Sequence, residues 1–461
     1  MTSALLEPVA TVRKGFAAGA IAGIEARRTQ LEHLRAMLED HEADFAAALH
    51  QDLGKSAIEA RVTEIGFLLN EIDHTLGRLE RWLRPARVRL PLALLPGSAQ
   101  VRPEPLGTVL VIAPWNYPVQ LTLAPLIPAL AAGNTVVLKP SEVAPATSAA
   151  LARFVGEYLD PNVVQVVEGG VAETTELLAE PWDHVFYTGN GTVGRVVLRA
   201  AAEHLTPVTL ELGGKSPAIV TASADLTVAS RRIAWGKFTN AGQTCIAPDY
   251  VLVHESIADR LAAALVDAIR KLYGSNPRQS PDYGRIVNAR HVARLQALLD
   301  AGGYADVATG GTVDASARYV APTVLTGVQP DAAVMAEEIF GPILPVLTYA
   351  GDVGAAIEFV NARPKPLALY VFASDRREAE AVVASTSAGG VTVNHTLMHV
   401  AVPDLPFGGV GPSGMGAYHG KAGFDLFTHR KPVLRKPTRP DPKIAYPPYS
   451  GWKQRVLRKL F

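Results

Sequence analysis

Short apolar segments alternate with stretches of helical periodicity along most of this chain. β-branched runs predict strands, and apolar residues three and four positions apart predict the helices between them. In the first half the predicted strands are 108–112, 135–138, 163–167, 184–187 and 208–212, with helices near 121–132 and 146–159 and another opening at 191–194. In the second half they are 218–220, 251–254, 344–349, 368–372 and 390–394, with helices near 225–241, 256–273, 289–302, 352–362 and 375–386. Buried strands that alternate with helices are typical of parallel sheets covered on both faces, so we expect an α/β fold with two doubly wound parallel-sheet domains.

Two helical stretches precede the first predicted strand. Residues 25–50 place leucines and Phe45 on one face, and the helix-ending Gly54 follows, which predicts one amphipathic helix. A second helical stretch covers about 58–84. The prolines between 85 and 105 then predict an irregular or edge-strand segment. After residue 428 the chain is rich in proline and basic residues, which predicts a further edge strand followed by a tail.

Charge and cysteine content restrict the possible functions. The net charge is zero, but residues 432–461 carry eight Lys/Arg against Asp441, so the remaining residues carry a net charge of −7. Because residues 1–431 carry a net negative charge, they are unlike a nucleic-acid-binding protein, and no nucleic-acid partner is expected. A single cysteine and the lack of a signal-peptide pattern indicate a reducing compartment, and we expect a cytoplasmic location. Residues 105–138 are uncharged, but their prolines would interrupt a membrane-spanning helix, so we expect the buried middle of a domain.

The segment Gly189-Asn190-Gly191-Thr192-Val193-Gly194 matches the pattern G-x-G-x-x-G between a predicted strand and a predicted helix. In that context backbone N–H groups and a helix N-terminus hold a pyrophosphate. The same pattern recurs at 409–414, where no strand precedes it. An acid about 20 residues after the first glycine often holds the ribose, and Glu211 has this spacing. Lys139 and Glu142, at the end of an earlier strand, offer another ribose site that would leave Glu211 free for chemistry.

Cys245 is the only cysteine and lies 34 positions after Glu211. A lone thiol forms neither an intramolecular disulfide nor a structural zinc site, so it is either a buried hydrophobe or a nucleophile with a carboxylate partner. The sequence contains no G-x-S-x-G elbow and no P-loop. His395 and His399 have the i, i+4 spacing of metal ligands but lack the accompanying glutamate, and we expect no metal site.

Five motifs in a fixed order decide whether Cys245 is a buried hydrophobe or a nucleophile. They are Pro114-Trp-Asn-Tyr-Pro118, Lys139-Pro-Ser-Glu142, Glu211-Leu-Gly-Gly-Lys215, Gly242-Gln-Thr-Cys245 and Glu337-Glu-Ile-Phe-Gly-Pro342. Over about residues 20–436 the chain resembles the aldehyde dehydrogenase superfamily. The variants Asp249-Tyr250, Asn394-His395 and 406–421 are most similar to its class 3 branch, whose members oxidise fatty and aromatic aldehydes with NAD or NADP.

The resemblance implies a role for each motif residue. The implied catalytic residues are Cys245 as nucleophile, Glu211 as the base that hydrolyses the thioester, and Asn116, whose amide holds the oxyanion together with the Cys245 N–H. The implied cofactor-binding residues are Trp115, Lys139, Glu142, Thr188, Gly189, Asn190, Gly191, Thr192, Val193, Gly194, Glu338 and Phe340, and the implied substrate residues are Tyr117, His395 and His419. Core packing is the alternative for Phe340, a solvated loop for Glu142, and domain packing for His419. The site and a cationic nicotinamide are expected to favour the Cys245 thiolate.

The resemblance also implies the division of the chain and its partners. Residues 1–86 and 106–213 would form the NAD(P)-binding domain, 214–415 the catalytic domain, 87–105 and 416–436 a small β oligomerisation extension, and 437–461 a basic tail. A homodimer and an aldehyde substrate are expected, and the last ten residues could form a basic amphipathic helix that touches anionic lipid. The alternatives are a CoA-acylating relative, which the presence of Glu211 argues against, and a non-catalytic scaffold, which would not need to keep Cys245.

Overall fold

The structure, a computed structural model, describes residues 6–460. The first eleven α-helices are α1 (Glu7–Ala18), α2 (Ile24–Asp40), α3 (Glu42–Leu53), α4 (Ala57–Ala60), α5 (Gly66–Leu76), α6 (Leu79–Leu83), α7 (Pro118–Leu123), α8 (Leu126–Ala132), α9 (Pro145–Tyr158), α10 (Val171–Leu178) and α11 (Gly191–Ala202). They are followed by α12 (Leu226–Phe238), α13 (Ala258–Tyr273), α14 (Ala289–Asp300), α15 (Ala333–Ala336), α16 (Val353–Asn361), α17 (Arg376–Ser385), α18 (Gly420–Leu426) and α19 (Gly451–Leu460). A π-helix, Arg61–Ile65, joins α4 to α5.

The strands of the first half are β1 (Ala86–Val88), β2 (Ser98–Pro105), β3 (Thr108–Ile112), β4 (Thr135–Lys139), β5 (Val164–Val166), β6 (His184–Thr188) and β7 (Val208–Glu211). Those of the second half are β8 (Pro217–Val220), β9 (Tyr250–His254), β10 (Asp306–Thr309), β11 (Val313–Asp314), β12 (Tyr319–Val320), β13 (Thr323–Thr326), β14 (Ile343–Tyr349), β15 (Ala368–Phe372), β16 (Gly390–Val393), β17 (Gly414–Met415) and β18 (Thr428–Arg435).

The first sheet has the strand order β17-β7-β6-β3-β4-β5 and is parallel except at β17. Its strand β3 is a fully buried run of mostly β-branched residues, which suit an extended backbone. Val109 and Val111 pack into one apolar cluster, whereas Leu110 and Ile112 pack into another. Because successive side chains of a strand point to opposite faces, this sheet is buried on both faces, as the apolar pattern predicts.

The direction in which successive strands are added to the first sheet reverses after β5, so a topological switch point lies between the neighbouring strands β3 and β6. Strands β3, β4 and β5 run outward in one direction, and β6 and β7 are added on the other side. In open α/β sheets a ligand binds at the carboxyl ends of the strands beside such a switch point. Asn116, Lys139, Thr188 and Glu211 all lie at or just after these carboxyl ends.

The second sheet has the order β10-β13-β14-β9-β8-β15-β16 and is parallel except at β10. The two large, mainly parallel sheets confirm the predicted α/β class. A third, antiparallel sheet has the order β1-β2-β18, and β18 pairs with β2 over eight residues, from Thr428 opposite Pro105 to Arg435 opposite Ser98. This sheet contains the segments that the sequence predicts as edge strands.

The structure corrects several predicted elements. The single helix predicted over 25–50 ends at Asp40 and restarts at Glu42, because the intervening His41 leaves helical geometry and its ring stacks on Phe154 at 3.9 Å. The helix predicted over 121–132 is two helices, since Pro125 has no N–H to donate. Residues 414–415, predicted to belong with the second domain, form β17 in the first sheet. Helices α1, α10, α15 and α18 and the short strands β10 to β13 and β17 were not predicted.

Candidate active site

Cys245 lies in an irregular loop between α12 and β9, and the backbone before it is unusual. Asn240 and Ala241 have left-handed backbones, with φ of 52° and 50°. Gly242 has φ of 76°, and a Cβ there would lie 2.3 Å from the Gly341 carbonyl oxygen, so the close approach requires glycine. Non-glycine residues at positive φ cost energy and persist only where their surroundings hold them.

The side chain of Gln243 holds this loop in place. Its Nε2 donates to the carbonyls of Asn240, at 3.0 Å, and Arg285, at 2.9 Å. Its Oε1 accepts a hydrogen bond of 2.9 Å from the Val287 N–H. A fully buried amide whose oxygen and nitrogen are both bonded fixes the backbone two residues before the thiol.

Asn116 is connected directly to the same loop. It is 3% exposed, and its Nδ2 donates a 3.0 Å hydrogen bond to the Gln243 carbonyl. The Asn116 carbonyl accepts from Asn240 Nδ2 at 2.8 Å. An amide nitrogen carries two hydrogens, so Asn116 keeps one donor for another acceptor at this site.

Glu211 ends strand β7 with its carboxylate buried. The residue is 2% exposed, and neither carboxylate oxygen has a hydrogen-bond partner among residues 6–460. Burial raises the pKa of Glu211 well above its usual value, because the charged form has lost its water. A carboxylate in this state accepts a proton readily, which is the property of a general base.

The thiol of Cys245 is within electrostatic reach of two carboxylates. The residue as a whole is only partly buried, but the protein packed around the thiol raises its pKa, and the nearby Glu338 and Glu211 raise it further. Backbone N–H groups of Cys245 and Ile246 act in the opposite direction. In the protein alone, burial and the two acids raise the thiol pKa more than the two N–H donors lower it. The expectation that the site with a cationic nicotinamide favours the thiolate stays a prediction.

The end of strand β4 carries a lysine and an acid. Lys139 is 2% exposed, and its ammonium donates to the Pro140 carbonyl at 2.8 Å and lies 3.6 Å from a Glu142 oxygen. Burial lowers the pKa of Lys139, while Glu142 partly restores it. The Glu142 side chain is about half exposed, so its carboxylate faces open space beside the sheet.

The G-x-G-x-x-G segment opens α11 as predicted. Asn190 caps the helix by accepting a 3.0 Å hydrogen bond from the Val193 N–H, and Thr192 and Val193 face solvent. A Cβ on Gly194 would lie 3.2 Å from Leu212 Cδ2, so this glycine lets α11 pack closely on the sheet. A Cβ on Gly189 would lie 2.2 Å from the Tyr187 hydroxyl.

This edge of the first sheet fits a dinucleotide. An exposed helix N-terminus suits a pyrophosphate, and a buried lysine beside a half-exposed acid suits ribose hydroxyls. The buried hydroxyl oxygen of Thr188 has no hydrogen-bond partner in the described part of the chain, which leaves a polar atom for a ligand to satisfy.

The loop that carries Glu338 and Phe340 is held by Asp249. This carboxylate accepts from the Ile339 N–H at 3.0 Å and from Lys215 Nζ at 2.5 Å. Burial, and then the Asp249 charge, raise the pKa of Glu338 to about 8. The Phe340 ring meets that of Trp115 edge-to-face, with centroids 5.3 Å apart.

Comparison with known proteins places this geometry in a family. Residues 7–433 match the model of the aldehyde dehydrogenase family. The 4,4'-diaponeurosporen-aldehyde dehydrogenase of Staphylococcus aureus is 50% identical over 95% of both chains, and aldehyde dehydrogenase family 3 member A2 of Rattus norvegicus is 48% identical over 98% of this chain and 94% of its own. A solved structure, the substrate-bound state of Staphylococcus aureus AldH, superposes with a TM-score of 0.96 at 48% identity over 99% of both chains.

The chain belongs to the aldehyde dehydrogenase family. Its resemblance to the class 3 branch is confirmed by the family 3 relatives. As an aldehyde dehydrogenase it oxidises an aldehyde to the carboxylic acid, and the family uses NAD or NADP.

The three substrate residues predicted for this aldehyde dehydrogenase occupy different surroundings. Tyr117 is buried, and its hydroxyl hydrogen-bonds Thr244 Oγ1 at 2.6 Å, next to Cys245. His395 is partly buried, with its ring edge-on to Trp235 at 5.8 Å.

His419 is 1% exposed, and neither ring nitrogen has a hydrogen-bond partner among the described side chains. Its ring stacks on Phe407 at 5.4 Å and meets Tyr418 at 4.2 Å. Burial, and then nearby His399, lower the pKa of His419 to about 3, so it is neutral at physiological pH. Of the two roles left open for His419, this environment favours packing.

Sequence reasoning missed four residues that support this aldehyde dehydrogenase site: Lys55, Glu64, Asp249 as a loop anchor, and His291, whose ring lies 5.0 Å from that of Trp115. The contacts of Lys55 and Glu64 span distant segments and leave no periodic signal. A lysine directly after the helix-ending Gly54 was the one visible hint.

Proposed function

We propose that Cys245, Asn116 and Glu211 are the catalytic residues, with the roles that their family implies. The surroundings of these three side chains support the proposal. The one thiol of the chain lies within electrostatic reach of a buried carboxylate that has no hydrogen-bond partner among residues 6–460. The amide of Asn116 is hydrogen-bonded to the same loop.

The first step is attack of Cys245 Sγ on the aldehyde carbon. The thiol pKa is raised, so the thiol must lose its proton as the C–S bond forms; the proton passes to solvent water, and the Glu211 carboxylate stays free for the second step. The free hydrogen of Asn116 Nδ2 and the Cys245 N–H stabilise the oxyanion of the tetrahedral adduct. A nicotinamide held at this site would supply the hydride acceptor, and loss of the hydride from the adduct carbon converts the Cys245 adduct to a thioester.

The second step is hydrolysis. Glu211 removes a proton from a water molecule as that water attacks the thioester carbon; the C–S bond breaks, the departing sulfur takes up the proton from Glu211, and the carboxylic acid is released. The nicotinamide nucleotide would be held by Lys139, Glu142, Glu338 and Trp115, with Phe340 packed beside it and residues 188–194 at its phosphates. The helix N-terminus and the ammonium of Lys139 supply positive electrostatic potential to that end of the site.

The substrate we propose is a medium- or long-chain aliphatic aldehyde or an aromatic one. The support is the relationship to class 3 enzymes together with two aromatic side chains. Tyr117 contacts Thr244 in the loop of Cys245, and Trp235 contacts His395. In this proposal water, and not CoA, accepts the acyl group from the thioester. If acid formation by the purified protein required CoA, the hydrolytic reaction would be excluded.

The test is NADH or NADPH formation with aldehydes of increasing chain length and with benzaldehyde. Wild-type protein is expected to reduce the cofactor, whereas Cys245→Ala is expected to show no aldehyde-dependent reduction while still binding NADH. Asn116→Ala is expected to lose about 100- to 1,000-fold in the rate of hydride transfer, as removal of one oxyanion donor does in other enzymes. Full activity of Cys245→Ala would exclude the nucleophile.

For the cofactor, we propose that NAD binds more tightly than NADP. The half-exposed Glu142 carboxylate would repel a 2′-phosphate. Glu142→Gln is expected to bring the two dissociation constants closer together, and an unchanged ratio would remove this residue from cofactor selection.

For the assembly, we propose a homodimer that uses the β1-β2-β18 sheet. Three exposed leucines are the support: Leu92, Leu95 and Leu434. Light scattering of the wild type and of Leu92→Glu/Leu434→Glu tests this, and an unchanged mass in the double variant would place the interface elsewhere. A cytoplasmic location remains a further proposal, supported by the single cysteine.

For the tail, we propose weak peripheral contact with anionic lipid. No helix among residues 6–460 is long and apolar enough to cross a membrane. Helix α19 exposes Trp452 and Val456 together with Arg455 and Arg458, the composition of a helix that lies on a charged membrane surface. Phe461, predicted as part of this helix, lies outside the described residues. Co-sedimentation with phosphatidylserine vesicles is expected to fall when residues 450–461 are removed, and equal binding would exclude the contact.

A further inference from the structure

Lys55 and Glu64 form an ion pair from which solvent is fully excluded. Lys55 Nζ lies 2.5 Å from Glu64 Oε1, and both side chains are 0% exposed. Burial of an ion pair has a large desolvation free energy, which is offset only when additional hydrogen bonds satisfy both groups. The partners of this pair therefore indicate what the pair holds in position.

Within residues 6–460, all further hydrogen bonds of the two charged groups go to one segment, 116–120. Lys55 Nζ donates to the Asn116 carbonyl at 3.1 Å and sits 3.8 Å from the centre of the Tyr117 ring. Glu64 Oε2 accepts from the N–H groups of Val119, at 2.8 Å, and Gln120, at 3.1 Å. The cation thus holds the start of the segment and the carboxylate holds the first turn of α7.

The backbone that presents Glu64 is itself irregular. Glu64 lies in the π-helix Arg61–Ile65, a form that is rare in proteins and frequent near functional sites. On the preceding turn, Glu59 Oε1 accepts a 2.8 Å hydrogen bond from the Asn240 N–H. The helical segment 57–65 therefore contacts both the Asn116 segment and the loop that leads to Cys245.

We propose that Lys55 and Glu64 are positioning residues for the Asn116 amide in the oxidation of the aldehyde. The inference rests on the proposed role of Asn116. Asn116 itself stands in an irregular turn after β3, where no sheet or helix bond fixes its orientation. Donors to an oxyanion work only when they are held close to the productive geometry, and an error of about 1 Å costs about 100-fold in rate. The ion pair supplies that constraint without touching substrate.

The test is a double-mutant cycle between the pair and Asn116. Lys55→Gln/Glu64→Gln removes both charges together, so no uncompensated buried charge is left. The readout is the single-turnover rate of NADH formation at saturating aldehyde and cofactor. In the wild-type background we expect about a 30-fold loss, and in the Asn116→Ala background less than about threefold, because the amide to be positioned is already gone.

Three controls separate positioning from general damage. The exposed pair Arg153 and Glu157 is the matched control, and Arg153→Gln/Glu157→Gln is expected to leave the rate unchanged. The dissociation constant of NADH and the rate of Cys245 alkylation by iodoacetamide are expected to change less than about twofold in the Lys55/Glu64 variant. The cofactor site and the nucleophile are then intact.

An equal loss of rate in both backgrounds would overturn the positioning role. No loss in the wild-type background would overturn it as well. If the double variant does not fold, Lys55→Met/Glu64→Gln replaces it in the same cycle, because it also removes both charges and its glutamine keeps one acceptor for the α7 N–H groups. Failure of the proposed function has a different signature: Asn116→Ala by itself would then leave the single-turnover rate unchanged.

Discussion

The backbone of Gly414 pairs with that of Glu211 at the edge of the first sheet, in antiparallel register. The next N–H, of Leu212, donates to the Ser413 carbonyl at 3.1 Å, and the Glu211 carbonyl accepts from the Gly189 N–H at 2.9 Å. The main chain of Glu211 is thus fixed on both sides, whereas its carboxylate has no hydrogen-bond partner in the described structure. The second G-x-G-x-x-G pattern, at 409–414, therefore has a structural role: it brings the chain into backbone pairing with Glu211.

Gly414→Ala is expected to reduce turnover by disturbing this pairing. Gly414 has φ of 148°, and a Cβ there would lie 2.3 Å from the Leu210 carbonyl oxygen. The strained backbone costs about 1–3 kcal/mol, and β17 must also move away from β7. We expect a lower Tm and slower thioester hydrolysis, measured by thermal unfolding and by steady-state turnover. Gly156→Ala, where a Cβ meets nothing within 4 Å, is the control and should leave turnover unchanged.

The strands of the parallel sheets could be predicted well from the sequence, for a physical reason. A strand such as Thr108–Ile112 is buried on both faces, so its residues form a short uninterrupted apolar run. The shorter strands β11 and β12, two residues each, offer no such run. The break at His41 depends on stacking against Phe154, more than 100 residues away, which no local pattern contains.

The residues of the candidate site could be predicted from the sequence only where they belong to a recognisable motif. Spacing alone would have assigned Glu211 to a ribose, and the structure instead buries its carboxylate within electrostatic reach of the thiol. The contacts of Lys55 with Asn116 and Tyr117 join segments about 60 residues apart, so sequence reasoning could not find them. The raised pKa of the Cys245 thiol in the protein alone could not be predicted, because the depth of burial around Cys245 is a property of the fold.

Glu71→Gln is expected to remove a pH dependence of stability. Glu71 is 2% exposed, and burial raises its pKa to about 7 although the Gly420 N–H donates to it. The folded state therefore binds a proton that the unfolded state loses above its own pKa, near 4.5. By linkage, the free energy of unfolding falls as pH rises from about 4.5 through 7, by about 3 kcal/mol in total.

Thermal unfolding of the wild type and of Glu71→Gln at pH 5 and pH 8 measures this effect. Glutamine cannot ionise and still offers an oxygen to Gly420, so the variant is expected to gain in Tm relative to wild type as pH rises. Glu25→Gln, at a side chain that is 82% exposed, is the matched control. A difference in Tm that stays constant between the two pH values would contradict a buried, titrating Glu71.

His419→Phe is expected to preserve both folding and catalysis. The imidazole is neutral, buried and stacked on Phe407, so a phenyl ring replaces it with little loss of contact. His419→Lys, in contrast, places an unpaired charge in the same aromatic cluster and should destabilise the protein by several kcal/mol. KM values for short and long aldehydes check the alternative role. A change in KM above about tenfold in His419→Phe would place this residue at the substrate.

In the proposed mechanism, Cys245 carries the acyl group and Glu211 activates the water that releases it. The most direct measurement is the intact mass of Glu211→Gln after mixing with an aldehyde and NAD. We predict rapid formation of about one equivalent of NADH, followed by little turnover. The protein mass should increase by that of the acyl group, and the increase should be absent from Cys245→Ala/Glu211→Gln. Steady turnover at the wild-type rate by Glu211→Gln, with no added mass, would exclude Glu211 as the base that releases the acyl group.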